Sequence, residues 1–234
     1  MTAENVADSH GISRDTQDEF ALESHRRAQA AMEAGRFDEE VVPIEVKARK
    51  GAVEFSVDEH VRRDASLETF AKLKPAFKKD GTVTAGNASG VNDAAAAVVL
   101  MSADRAKEQK APVRARILSY AMCGVDPKTM GIGPVPAVRK ALERAGRTLD
   151  DVDVIELNEA FAAQSLALVQ DLGLDPAKVN PNGGAIALGH PIAVTGVILT
   201  VKILNEMERN DHKLGLVSLC IGGGQGIAML LERD

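Results

Sequence analysis

Apolar and polar stretches alternate in a regular way through the second half of the chain. Apolar runs of strand length at 113–120 and 152–157 alternate with amphipathic runs of helix length at 134–145 and 159–172, each of which ends at a glycine. This alternation is typical of a layered α/β domain with a largely parallel sheet.

The C-terminal end departs from that alternation. A glycine-rich loop at 179–189 leads into a predicted helix at 192–208, and strands are predicted at 214–219 and 226–231. The connection between these last two strands is too short for a crossover, so we expect antiparallel neighbours. The fold class is therefore α/β, with a mixed sheet covered by helices.

The first half of the chain has a weaker pattern. We expect a helix at 15–34, short strands within 41–58, an irregular stretch at 60–86 and a turn-rich loop at 87–93. The run at 94–101 is small and apolar throughout, and periodicity alone does not distinguish a buried helix from a buried strand there.

Composition excludes several classes of function. Apolar residues make up 45% of the 234 residues, charged residues 26%, and the net charge is -6. Without a basic excess to neutralise phosphates, a nucleic-acid partner is not expected. The most apolar stretch, 186–204, contains His190, Pro191 and Lys202, so it fits a buried loop and helix better than a membrane span.

The two cysteines, Cys123 and Cys220, match no disulfide or zinc spacing. We therefore expect free thiols and no metal. The first fifteen residues contain no apolar leader segment, which together with the thiols predicts a cytoplasmic protein.

Three loops concentrate the residues that can carry chemistry. Asn158 follows the strand at 152–157 and is either an N-cap or a carboxamide that orients a catalytic water. His190, held by Pro191 at a predicted helix start, is either structural or catalytic. Cys220 ends a strand before three glycines, where it is either a small buried hydrophobe or a presented thiol.

Together these loops offer a set of groups suited to carbonyl chemistry. An imidazole and an amide-bound water can stabilise an enolate or oxyanion, and a thiol activated by a neighbouring base can move a proton. A dinucleotide loop at 222–226 is disfavoured because a strand, rather than a helix, follows it.

Four segments of the chain resemble motifs of the thiolase family of acyl-CoA acyltransferases. They are Asn158-Glu-Ala-Phe-Ala, Gly189-His190-Pro191, Cys220-Ile-Gly-Gly-Gly and the loop at 81–93. The resemblance implies a truncated thiolase-like layered fold. It also implies acetyl-CoA C-acetyltransferase activity, in which two acetyl-CoA give acetoacetyl-CoA and CoA, or thiolysis of a 3-oxoacyl-CoA.

The resemblance also implies a role for each residue of the site. His190 would activate the nucleophilic cysteine and help bind the thioester oxygen, and Asn158 would hold the water of that oxyanion hole. Cys220 would move the proton to and from the α-carbon. The N–H of Gly222 would contribute to a second oxyanion hole.

Coenzyme A is implied as part of the thioester substrate, and no further cofactor is expected. Ser89 would bond the pantetheine, Arg62 would lie near the adenosine phosphates, and Phe161 would line the acyl pocket. Ala85 and Phe77 complete the expected substrate-binding set. A homo-oligomer is expected for the complete enzyme.

The resemblance divides the chain into part of a loop domain at 1–86, a remnant of the N-terminal half at 87–111 and the C-terminal half at 112–234. The family's acylated cysteine is missing, because the surroundings of Cys123 do not resemble its motif. The alternatives are a non-catalytic acyl-CoA-binding protein and an inactive thiolase fragment. We also expect exposed apolar surface near 94–101.

One departure from the family pattern lies next to the histidine. Ala193-Val194-Thr195 follows His-Pro-Ile, where the family usually has glycine directly after these three residues. The added bulk is expected to tighten the site or shift the helix.

Overall fold

The computed structural model describes residues 1–49 and 51–234. The helices are α1 (Thr2–His10), α2 (Arg14–Glu33), α3 (Leu67–Ala71), α4 (Ala103–Gln109), α5 (Pro134–Ala145), α6 (Ala162–Leu172), α7 (Ala185–Leu188) and α8 (Thr195–Arg209), with a 3₁₀ helix at Pro127–Ile132. The strands are β1 (Ile44–Ala48), β2 (Gly51–Phe55), β3 (Arg116–Gly124), β4 (Val154–Leu157), β5 (Leu214–Ile221) and β6 (Gln225–Glu232).

The C-terminal strands form one mixed sheet in the order β3–β6–β5–β4. β4 and β5 are parallel, whereas β6 is antiparallel to both β5 and β3. The expectation of a largely parallel sheet is therefore wrong, because β6 turns back from β5 and inserts between it and β3. The predicted antiparallel pairing of the last two strands is confirmed.

Helices cover both faces of this sheet. Ile155 and Leu157 of β4 pack in the cluster that contains α5 and α6, and Val154 packs with Ile203 of α8 on the other face. Side chains alternate between the faces of a strand, so Glu156 points to the same side as α8.

Two helix starts differ from the sequence prediction. α2 begins at Arg14, one residue before the predicted start at 15, and the Ser13 hydroxyl caps it by accepting the Thr16 N–H at 3.1 Å. The short helix α1 was missed because its sequence is polar, although Val6 and Ala7 are buried against α6.

α6 begins at Ala162 rather than at 159, because Phe161 is extended and pairs with Ala88. Asn158 therefore lies four residues before the helix, so the N-cap interpretation of this residue is wrong. α8 likewise begins at Thr195 rather than at 192, so Pro191 does not lie at the helix start as expected.

The segment at 94–101 is irregular rather than helix or strand, and its side chains are exposed, Val99 at 85% and Leu100 at 73%. The expected exposure of this apolar run is confirmed. Elsewhere, the predicted irregular stretch at 60–86 contains the short helix α3. No helix among the described residues combines the length and the apolar character that a membrane span requires.

The close approach of β6 to the 3₁₀ segment predicts a large effect of one methyl group. A Cβ at Gly226 would collide with the backbone of Gly133, so Gly226→Ala should lower the free energy of unfolding by about 3 kcal/mol or more, as overpacked sites do. Urea unfolding measures this value. Gly196→Ala is the control, because a Cβ there meets open space; equal losses in both variants would contradict the packing.

Candidate active site

The parallel pairing of β4 and β5 brings two of the three candidate loops to one edge of the sheet. It continues past Leu157, which lies opposite Ser218, because the Asn158 N–H donates to the Ser218 carbonyl at 3.0 Å. Cys220 lies two residues further along β5. Asn158 and Cys220 therefore lie at the carboxyl ends of neighbouring strands, where α/β sheets place their sites.

His190 reaches this edge from the glycine-rich loop, with its Nε2 3.3 Å from Asn158 Nδ2. The His190 N–H donates to the Gly90 carbonyl at 3.1 Å and to Asn92 Oδ1 at 3.2 Å. Gly189 has a φ of +97° and lies where a Cβ would collide with the Asn92 side chain. The loop at 87–92 thus fixes the position of the imidazole.

The hydrogen bonds of His190 define its tautomer. The Asn158 amide nitrogen is a donor, so the imidazole Nε2 accepts and the proton of the neutral ring is on Nδ1. Nδ1 then donates to Thr195 Oγ1 at 2.7 Å, and this hydroxyl donates to the Pro191 carbonyl at 3.1 Å. Burial lowers the pKa of His190, so the resting imidazole is neutral with a basic Nε2 beside Asn158.

The other end of the Asn158 amide is available to a ligand. Its Oδ1 is buried and has no hydrogen-bond partner among the described residues. A buried amide oxygen generally needs a donor, and a water or a substrate N–H can supply it. The side chain therefore suits the water-holding role that the sequence suggested.

The Cys220 thiol is 8% exposed, and burial raises its pKa to about 11. It is therefore protonated at neutral pH. The turn that follows contains Gly223 and Gly224 at φ near +90° (+88° and +87°), a region that favours glycine. A Cβ at Gly222 would enter open space, so the backbone is accessible beside the thiol.

Three of the expected substrate-binding residues lie together beside the Asn158 loop. The Ser89 N–H and hydroxyl both donate to the Ala160 carbonyl, each at 3.1 Å. The ring of Phe161, the next residue, meets Phe77 edge to face with centroids 6.1 Å apart. These contacts place a hydroxyl and two aromatic rings along one side of the candidate site.

The other two expected substrate-binding residues contact each other. Arg62 Nη2 donates to the Ala85 carbonyl at 3.2 Å. The Arg62 backbone is held by α2, because its N–H donates to His25 Nδ1 at 3.2 Å and its carbonyl accepts from Gln29 Nε2 at 2.7 Å. The backbone of Arg62 is thus held on both sides by side chains of α2.

Sequence reasoning missed Glu159, the residue after Asn158. It is 2% exposed and accepts hydrogen bonds from Ser24 Oγ at 2.6 Å, Asn180 Nδ2 at 2.8 Å and the Ile186 N–H at 3.2 Å. Burial raises its pKa despite these bonds. The signal was a carboxylate inside an otherwise apolar stretch, where buried charges require partners.

Two family models match the chain. The model for "Thiolase, N-terminal domain" matches residues 1–104, and that for "Thiolase, C-terminal domain" matches residues 111–233. Their ranges together cover nearly all of the chain.

Among curated proteins, the chain is 60% identical to Beta-ketothiolase BktB of Cupriavidus necator over all of its length and 59% of that protein. It is 58% identical to the acetyl-CoA acetyltransferase of Pseudomonas aeruginosa, again over all of its length and 60% of the relative. The chain therefore spans about 60% of the length of the relatives it matches.

Solved structures show the same likeness. The acetyl-CoA acetyltransferase of Bacillus anthracis superposes with a TM-score of 0.96 at 53% identity, over 99% of this chain and 59% of that one. Human mitochondrial 3-ketoacyl-CoA thiolase in complex with CoA gives 0.93 at 48% identity, over 100% and 58%. The expected thiolase-like fold is therefore confirmed.

The buried His25 predicts a pH dependence of stability. Burial, assisted by the charges of Arg62 and His60, lowers the pKa of His25 from 6.5 to about 4. Below pH 6.5 the unfolded chain binds a proton that the folded chain does not, so the free energy of unfolding should fall as the pH drops from 6.5 towards 4. Urea unfolding across this range measures the decline.

His25→Gln is the control for that decline, because a glutamine oxygen can still accept the Arg62 N–H. The variant should lose less stability than the unsubstituted chain between pH 6.5 and 4. An identical decline in both chains would show that His25 does not titrate as described.

The hydroxyl of Thr195 predicts a measurable change in the tautomer of His190. Thr195→Val keeps the shape of the side chain but leaves the buried Nδ1–H without an acceptor, so the fraction of the Nδ1–H tautomer should fall. Nitrogen-15 NMR of the imidazole, assigned through His190→Gln, reports this fraction. Thr195→Ser should retain it, and an unchanged tautomer in the valine variant would rule out the assigned hydrogen bond.

Proposed function

Since the chain belongs to the thiolase family, we propose that it contributes His190, Asn158 and Cys220 to a thiolase-type acyltransferase. The proposed reaction is acetyl-CoA C-acetyltransfer, with thiolysis of a 3-oxoacyl-CoA as its reverse. The observation that carries the proposal is the contact of Asn158 with His190 at the strand edge that Cys220 shares. The acylated cysteine belongs, in this proposal, to the part of the relatives that the chain does not span.

The first half-reaction is acyl transfer. His190 Nε2 removes the proton of the nucleophilic thiol, which attacks the thioester carbonyl, and the same Nε2 returns the proton to the departing CoA thiolate. The neutral ring can accept this proton, because a hydrogen on Nδ1 leaves the lone pair on Nε2, the nitrogen that lies beside Asn158.

The second half-reaction forms the carbon–carbon bond. The Cys220 thiol first gives its proton to His190 Nε2, and the resulting thiolate removes a proton from the α-carbon of a second acetyl-CoA. Protonated His190 Nε2 and the water held by Asn158 then stabilise the enolate oxygen. The α-carbon attacks the acyl group, the Gly222 N–H binds the new oxyanion, and the nucleophilic thiolate leaves and takes the proton from His190 Nε2.

The raised pKa of Cys220 is relevant to the reverse direction. During thiolysis the bond between the α- and β-carbons breaks, and the α-carbon must receive a proton. A thiol that is protonated at rest can donate it directly. In the synthetic direction the thiolate has to be produced first, so substrate binding must stabilise it.

Substrate binding and assembly are part of the same proposal. Ser89, Arg62, Ala85, Phe77 and Phe161 are proposed to bind the CoA thioester. A homo-oligomer is supported by the β1–β2 hairpin, whose apolar side chains are exposed: Ile44, Val46, Val53 and Phe55.

Substitutions in the protein that includes the nucleophilic cysteine test the two roles separately. His190→Ala should lower the rate of acyl-enzyme formation about 10²–10⁴-fold, as the loss of a general acid–base does. Cys220→Ser should accumulate acyl-enzyme from acetyl-CoA yet form no acetoacetyl-CoA. Mass spectrometry of the intact protein and a product assay measure both quantities.

Cys123→Ser is the matched control, because Cys123 lies on β3 and should affect neither step. Normal acylation by His190→Ala would refute the proposed base. If the unsubstituted protein binds CoA but never forms an acyl-enzyme, the alternative of a non-catalytic acyl-CoA-binding protein holds instead.

A further inference from the structure

A buried cation joins the two segments that carry Asn158 and His190. The Lys202 side chain, on α8, is only 5% exposed. Its Nζ donates to Glu156 Oε2 at 2.9 Å and to the Gly183 carbonyl at 2.6 Å. None of the steps in the proposed reaction uses this ammonium.

The two acceptors of Lys202 belong to the strand that leads to Asn158 and to the loop that leads to His190. Glu156 is on β4, two residues before Asn158, and is completely buried on the side that faces α8. Gly183 begins the turn that leads through α7 to His190. One ammonium therefore sets the spacing between the strand that positions the amide and the loop that positions the imidazole.

A second carboxylate holds the same turn from the other side. Glu159 accepts the Ile186 N–H at 3.2 Å and the Ser24 hydroxyl at 2.6 Å, and that hydroxyl accepts the Gly184 N–H at 3.1 Å. Glu156 and Glu159 thus flank Asn158 along the chain. Glu159 bonds the turn directly and through Ser24, whereas Glu156 is linked to the Gly183 carbonyl through Lys202.

The turn packs closely against α2 at Gly183. Gly183 has a φ of +77°, and a Cβ there would lie 2.7 Å from the Ser24 carbonyl oxygen. Its own carbonyl is directed at Lys202. If the ammonium is removed, this carbonyl loses its donor, and the turn must shift to find another one.

Stability alone is a poor explanation for this pair. Burial raises the pKa of Glu156 to about 7 even though Lys202 opposes the shift, which shows how strongly the site disfavours a charge. Buried ion pairs are commonly replaceable by apolar pairs without loss of stability. A defined geometry of the turn is what the ammonium adds.

We propose that Lys202 is a positioning residue, which uses Glu156 and the Gly183 carbonyl to hold the His190 loop in register with Asn158. The proposal rests on the proposed function only because it treats Asn158 and His190 as the centre of the site. The effect of Lys202 on the positions of these two residues can be measured on the 234-residue chain without substrate.

The test uses Lys202→Met combined with Glu156→Gln, so that no unpaired charge stays buried. The double variant should melt within about 4 °C of the unsubstituted chain. Nitrogen-15 NMR should nevertheless show shifted signals for His190 Nε2 and the Asn158 side-chain amide. Lys178→Met is the matched control, because Lys178 Nζ donates to the Val152 carbonyl at 2.7 Å away from the turn, and both signals should stay unchanged.

A folded double variant with unchanged His190 and Asn158 signals would overturn the proposal, as would equal shifts in the Lys178 control. If the double variant does not fold, Lys202→Arg replaces it. The planar guanidinium of arginine cannot make the same two hydrogen bonds as the compact ammonium of Lys202. Shifted His190 and Asn158 signals in this variant therefore support the proposal, and unchanged signals refute it. Absence of acyl-enzyme in the unsubstituted protein would refute the proposed function but would leave these signals untouched.

Discussion

The parallel pairing of β4 with β5 is the constraint on which the candidate site depends. It sets the ends of two strands side by side, so that Asn158 and Cys220 emerge at the same edge. The hydrogen bond from the Asn158 N–H to Ser218 extends that pairing by one residue beyond the strand. The His190 loop is fixed both by a backbone bond, to the Gly90 carbonyl, and by side chains.

Buried polar groups do that positioning, at a cost in desolvation. Glu156 and Glu159 are both completely or almost completely buried beside Asn158, and burial raises the pKa of each. Lys202 and Ser24 supply their hydrogen bonds. Preorganised sites commonly contain such supporting groups, because a catalytic contact must be held closely to the productive geometry.

The sequence predicted the main strands and helices of the second half and the three loops, because glycine, asparagine and proline mark turns, but it missed the short helices α1 and α3. It could not predict contacts between distant segments. The pairing of Phe161 with Ala88, which delays α6 and frees Asn158 from a capping role, depends on a loop 70 or so residues away by number. Likewise, the hydrogen bond between Thr195 and His190 Nδ1 depends on where the turn places the imidazole. The three-part domain division stays a prediction.

Whether an amide, an imidazole and a thiol act on one thioester is best tested by a crystal structure with an unreactive acetyl-CoA analogue bound to the protein. We predict that the thioester carbonyl lies beside the side chains of Asn158 and His190, with the α-carbon about 3–3.5 Å from the Cys220 sulfur. An analogue bound elsewhere, with the side chains of Asn158, His190 and Cys220 facing separate surfaces, would contradict it.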